Sequence, residues 1–127
     1  MKYWIAAALF LLSAPLLAQQ QVPIITFESV PNLLKLPKDV HLGEVTGVAV
    51  NSKGNIFVLS RGNTTGHAYF AAATQLLEFA PDGTFVREIG KNLYAWSFGH
   101  SVRVDKDDNV WAVDKGSDMV VKFNPQG

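Results

Sequence analysis

The sequence predicts an all-β fold built from repeated antiparallel sheets. Its main support is an internal repeat. Residues 47–62, GVAVNSKGNIFVLSRG, return as residues 101–116, SVRVDKDDNVWAVDKG, a shift of 54. A second phrase follows each copy: LLEFAPDG at 76–83 returns as VVKFNPQG at 120–127, a shift of 44. The two shifts differ by ten residues, which places an insertion in the first copy between Arg61 and Gln75. Each copy alternates short runs of β-branched and aromatic residues with Gly, Asn, Asp and Pro turns. Repeats of about 40–50 residues made of short strands point to a β-propeller or another repeat architecture.

The chain opens with segments that precede the repeat. Lys2 is followed by an apolar run from Trp4 to Leu12, small residues to Ala18, and then three glutamines. This pattern reads as a secretory signal peptide, residues 1–18, and so as a secreted or periplasmic protein with no membrane contact after cleavage. An uncleaved anchor helix is the other reading, although the run is short for a span of about 20 residues. Residues 19–41 form a lead-in. Val22–Phe27 suits an extended strand, Pro31 and Pro37 break any helix, and Leu33, Leu34 and Leu36 need a surface, expected on the outside of a blade.

The strands then follow in order. Val45–Val50 is a strand, 51–55 a turn that suits Gly and Asn, and Ile56–Ser60 its partner. Leu76–Phe79 is a third strand, 81–83 a turn, and Thr84–Ile89 a fourth, which completes one four-stranded blade over 42–90. The second copy repeats this with Val102–Asp105, Val110–Val113 and Met119–Phe123, an incomplete blade over 98–127. Two blades bury their faces only against neighbours. The expectation is that residues 42–127 are the front of a longer propeller whose remaining blades are missing from this chain. A two-blade protein that closes a ring by oligomerising is the alternative.

Composition excludes some functions. The chain has 11 Lys+Arg against 11 Asp+Glu and no cysteine. Without a basic stripe, nucleic-acid binding has no support. Without cysteine, stability must come from packing or a bound metal.

Few residues stand out for chemistry. His41, His67 and His100 match no local metal motif. His100 falls just before the first strand of the second blade, where a loop faces the central channel. It reads either as one ligand of a radially assembled metal or as a loop histidine bonded to backbone. Arg61 ends the second strand of the first blade, as a bidentate carboxylate clamp or an exposed strand-end charge. Asp114 and Lys115 hold the same place in the second blade and suit a surface pair. The acidic turn 105–109 lacks the Gly and terminal Glu of an EF-hand loop and reads as a solvated hairpin. The insertion, 63–74, carries Tyr69 and Phe70. It either walls a site at the channel mouth or decorates the surface. Asn63-Thr64-Thr65 matches a glycosylation sequon. Phe57 and Trp111 occupy equivalent positions and are expected to pack between blades.

The phrases GVAV at 47–50, FAPDG at 79–83 and DKDDNVW at 105–111 resemble NHL-repeat six-bladed β-propellers. Within these, VTGVAV at 45–50, SRGN at 60–63, GKNLY at 90–94 and HSVRVDKD at 100–107 are similar to the peptidyl-α-hydroxyglycine α-amidating lyases. That resemblance covers roughly residues 42–127 and implies zinc and calcium as cofactors. It makes His100 one of three zinc histidines. It makes the Val48 and Val102 backbone carbonyls calcium ligands, and Arg61 a catalytic residue shaping the site around the substrate's carboxylate and hydroxyl. The implied reaction cleaves the N–Cα bond of a C-terminal α-hydroxyglycine, leaving a peptide amide and glyoxylate. Asn63 stands where the family has an acid, and Ser60 where it has a histidine. The other two zinc histidines, the calcium carboxylate and the catalytic tyrosine would lie beyond Gly127, so the chain alone is expected to be inactive. The competing function is a non-catalytic NHL propeller that binds a peptide, glycan or protein partner.

Overall fold

The computed structural model describes residues 22–62 and 74–127. The proposed signal peptide, residues 63–73 of the insertion with its sequon, and His67 lie outside them. The described residues contain seven strands and no helix. β1 (Val45–Val50), β2 (Ile56–Ser60), β3 (Gln75–Phe79) and β4 (Phe85–Ile89) form one antiparallel sheet in chain order. β5 (Gly99–Val104), β6 (Val110–Asp114) and β7 (Met119–Phe123) form a second. Every strand read from the repeat is present, with ends moved by three residues or fewer. The largest shift is at β5, which begins at Gly99 because Gly99 pairs with Asp114. His100 is therefore inside the strand, where the sequence had placed it in a loop.

The turns repeat at the level of single hydrogen bonds. Asn51 Oδ1 accepts from the amides of Lys53 and Asn55. Asp105 Oδ1, at the matching place, accepts from the amides of Asp107 and Asn109. A side-chain oxygen that bonds its own backbone two and four residues on closes each hairpin. The acidic turn 105–109 is therefore a tied hairpin. Asp108 (φ 60°) also leaves it to take the Ser52 amide at 2.8 Å and the Ser52 hydroxyl at 2.6 Å, which joins the two sheets at their turns.

Strand alternation decides the packing. Phe57, Leu59, Leu76 and Ile89 of the first sheet meet Val102, Val110 and Ala112 of the second in one buried core, with Trp96 included. Gly47 makes the close approach of β1 to β5 feasible, because a Cβ there would sit 2.9 Å from the Val102 backbone nitrogen. The opposite face of the first sheet buries Val58, Leu77 and Phe79 beneath Leu34 and Val40 of the lead-in and Leu42 just after it. Lys35 bridges Thr84 in parallel, and its amide donates to the Gly83 carbonyl at 2.8 Å. Leu34 thus finds the surface expected of it, while Leu36 stays exposed. Val22–Phe27 is not a strand: it joins neither sheet, and its apolar side chains are exposed.

The far face of the second sheet differs. Trp111 is 37% exposed and Val120 63% exposed. Trp111 occupies the position of Phe57, and of the two only Phe57 has a second sheet over it, where it packs as expected. Phe57 faces the second sheet, and among the described residues no sheet lies on the Trp111 side. Trp111 instead donates its Nε1–H to Asp105 Oδ2 at 2.9 Å, with Lys122 Nζ 4.8 Å from its ring centroid.

Candidate functional site

The candidate site is the end of the molecule where β1 and β5 begin and β2 and β6 finish. Its foundation is Asp114, a fully buried carboxylate. Asp114 accepts from the amides of Ser97 and Phe98 at 2.9 Å, of Gly116 and Ser117 at 3.0 Å, and from the Ser117 hydroxyl at 3.2 Å. Burial alone would raise its pKa. The amides of Ser97, Phe98 and Ser117 outweigh burial and hold it below the ordinary carboxylate value. Asp114 is therefore no surface partner for Lys115: its oxygens are already occupied by backbone donors. Ser60 performs the same task in the first sheet, where its hydroxyl accepts from the amides of Gly43 at 3.1 Å and Gly62 at 3.2 Å. The matching backbone bonds also recur, Arg61 to the Glu44 carbonyl and Lys115 to the Phe98 carbonyl, both 2.9 Å.

On this frame each first strand carries a bulge. The register of β1 shifts between Val45 and Gly47, and that of β5 between Gly99 and Ser101. Thr46 and His100 are the residues within those shifts. A bulge re-aims the side chain it carries and often lies beside functional sites. The His100 imidazole is exposed.

Arg61 belongs to the first sheet but reaches the second. Its Nε donates to the Gly99 carbonyl at 3.1 Å, its Nη1 pairs with the Glu44 carboxylate, and its guanidinium lies 3.5 Å from the Phe98 ring centroid. The side chain is only 13% exposed. Arg61 and His100 therefore lie at the same end of the molecule, one peptide unit from contact through the backbone. The guanidinium is engaged with protein groups in this arrangement.

The remaining implied residues are on the adjacent first strands. Val48 is exposed on β1 and Val102 is buried on β5. The Val102 carbonyl accepts from Arg103 Nη1 at 2.9 Å. Among the described residues, no three His, Cys, Asp or Glu side chains come together as metal ligands. These residues therefore do not fit a complete zinc site, and His100 supplies one ligand at most. A guanidinium on the Val102 oxygen likewise opposes a calcium there until Arg103 moves away.

Sequence reasoning missed four contributors: Asp114 as the buried anchor, and Glu44, Phe98 and Thr74. The Thr74 hydroxyl accepts the Gly99 amide at 2.9 Å. The matching spacing of Ser60 and Asp114 before their glycines was the one available signal for the anchor.

No protein-family profile matches the chain. It is 31% identical to peptidyl-alpha-hydroxyglycine alpha-amidating lyase 1 of Drosophila melanogaster, over 70% of this chain. The chain spans 19% of that relative's length. This is a modest relation, and it concerns part of a longer protein.

Proposed function

We propose that this chain is part of a secreted NHL-type propeller that cleaves a carbon–nitrogen bond in the manner of the amidating lyases. Its substrate would be a peptide ending in α-hydroxyglycine. The N–Cα bond breaks, the hydroxyl loses its proton, and the amide nitrogen gains one. A primary amide and glyoxylate result. What carries this reading is the shared end of Arg61 and His100, on a frame that both sheets repeat, together with the modest relation to a lyase.

Within the reading each residue has a task. His100 presents an imidazole from the β5 bulge. Arg61 fixes the Gly99–His100 segment, and its guanidinium would meet a substrate carboxylate on release from Glu44. A zinc would act as a Lewis acid toward the hydroxyl, but the described residues do not complete its site and no step is drawn through it. Val48 and Val102 are the carbonyls proposed for a calcium, with Arg103 displaced. The Trp111 face would receive the next sheet of the ring. The Phe57 face shows the kind of partner, a sheet offering small and β-branched side chains such as Val102, Val110 and Ala112.

A second reading, a propeller that only binds its partner, is favoured by one observation: the Arg61 guanidinium is already engaged with Glu44, Gly99 and Phe98. Titrating the ¹⁵N-labelled chain with a short peptide ending in α-hydroxyglycine tests the site. The lyase reading expects shifts of the Gly99, His100 and Ser101 amides, lost in His100→Ala. Shifts confined to the opposite turns, or none at millimolar peptide, would sink it.

A further inference from the structure

We propose that Thr74 and Arg61 act as a two-sided clamp on the Gly99 peptide and thereby set the direction in which His100 projects. The proposal rests on the reading of His100 as the functional side chain of this end.

The clamp closes on both polar groups of one buried residue. The Gly99 amide donates to Thr74 Oγ1 at 2.9 Å, and its carbonyl accepts from Arg61 Nε at 3.1 Å. Thr74 is itself buried. The fit leaves no room for a side chain: a Cβ on Gly99 would lie 2.7 Å from Thr74 Cγ2 and 3.3 Å from Leu59 Cδ2. The residue before is held as well. The Phe98 amide bonds Asp114, and its carbonyl accepts the Lys115 amide. Residues 98 and 99 are thus fixed at amide and carbonyl, and His100 follows at the bulge.

The first sheet provides the contrast. Val45 takes the place of Gly99 there, pairs with Ser60 and is 45% exposed. The frame common to both repeats therefore makes a bulge without burying the residue before it. Gly99 is instead covered by Thr74 and Leu59 and held at its carbonyl by Arg61, and Arg61 and Thr74 bracket 62–73 in sequence. A backbone held on both sides of a peptide restricts the rotamers open to the next side chain, because rotamer choice follows φ and ψ. Thr74 and Arg61 are in this sense positioning residues: they act on His100 through Gly99.

The test is made on the metal-free chain. The three-bond couplings from the His100 backbone nitrogen and carbonyl carbon to Cγ report its χ1, and hydrogen exchange reports the Gly99 amide. The wild-type chain should show one dominant χ1 rotamer and a protected Gly99 amide. Thr74→Val keeps the shape and removes the acceptor. It should speed Gly99 exchange about tenfold, the loss of one buried hydrogen bond, and average the His100 couplings. Thr74→Ser should restore both. If Thr74→Val does not fold, Arg61→Met, which removes the other jaw and leaves the Gly99 amide on Thr74, is read through the His100 couplings. Averaged couplings in the wild type overturn the clamp, as do unchanged couplings in a folded jaw variant. Because no ligand is used, a failed peptide titration would sink the lyase reading and leave this result standing.

Discussion

Replacing Asp114 by Asn should be among the most damaging isosteric changes in this molecule. An ionised carboxylate only accepts, and four amides donate to Asp114, while the Ser117 hydroxyl is shared with the Ala95 carbonyl. In Asn, one oxygen becomes an NH₂. Kept at Oδ1, the amide oxygen still serves Gly116, Ser117 and Phe98. The NH₂ then faces the Ser97 amide, donor against donor, at a buried side chain. The Ser97 amide loses its acceptor and the new NH₂ has none, two unsatisfied donors at about 1–3 kcal/mol each, and the remaining bonds lose their charge assistance. A cost of about 3 kcal/mol follows, which lowers the melting temperature by about 12–24 °C at about 4–8 °C per kcal/mol for a domain of this size. Thermal and urea unfolding followed by circular dichroism would measure it. A loss below about 0.5 kcal/mol, the range of surface changes, would refute the account of Asp114 as an ionised anchor.

The same carboxylate gives a pH dependence. Its pKa is depressed in the folded chain, so its contribution is present above the unfolded value near 3.9 and is lost as pH falls through the folded value. Asp82, lowered to about 2 by Thr84 and Lys35, and Asp105, lowered mainly by Trp111 and Asn109, add in the same direction. Stability should hold from neutral pH to about pH 5 and decline below about pH 4, less steeply in Asp114→Asn. A decline between pH 6 and 7 would assign the effect to histidine instead. Phe57→Ala should cost about 3–5 kcal/mol because the ring is buried between the sheets. Trp111→Ala should cost less, about 1–2 kcal/mol, because its ring has one open side. Equal losses in urea unfolding would contradict the assigned faces. Gly47→Ala places a Cβ against the Val102 backbone and should cost about 1–3 kcal/mol, with altered β5 amide shifts. An unshifted β5 would show that the sheets separate there without strain.

The strands were legible because the signals that mark them are local. Period-two runs and Asn, Asp and Gly turns sit within a few residues of one another, and the repeat reports them twice. The strand start at Gly99 was not legible, since it depends on a pairing with Asp114 and a bond to Thr74 that are distant in sequence. Asp114 looked like a surface charge for the same reason: its donors come from two separate loops. Val22–Phe27 has the side chains of a strand but no sheet edge to join, and propensity alone does not supply one. Trp111 was read as buried by analogy with Phe57. The repeat transfers a position in a sheet, but burial also needs the neighbour that covers it. Of the site, sequence could nominate Arg61 and His100 but not the groups that hold them.

The repeat also separates frame from function. Four contacts recur in both copies: the strand-end oxygen on the loop amides (Ser60, Asp114), the turn oxygen on its own hairpin (Asn51, Asp105), the backbone bond from the residue after β2 or β6, and the bulge that follows. These would be needed in any sheet of the kind, whatever the protein does. The differences fall on the same end of the molecule: Thr46 against His100 within the bulge, Arg61 against Lys115 beyond the strand, Val45 against the buried Gly99. A fold that keeps its hydrogen bonds and varies what the bulge presents has its scaffold and its chemistry on different atoms. Substitutions at position 100 should therefore leave the sheets standing while changing what the end binds, whereas substitutions at 114 should remove both together. If His100→Thr, which copies the first repeat, unfolded the chain, the frame and the presented side chain would not be separable, and the functional assignment of the bulge would lose its basis.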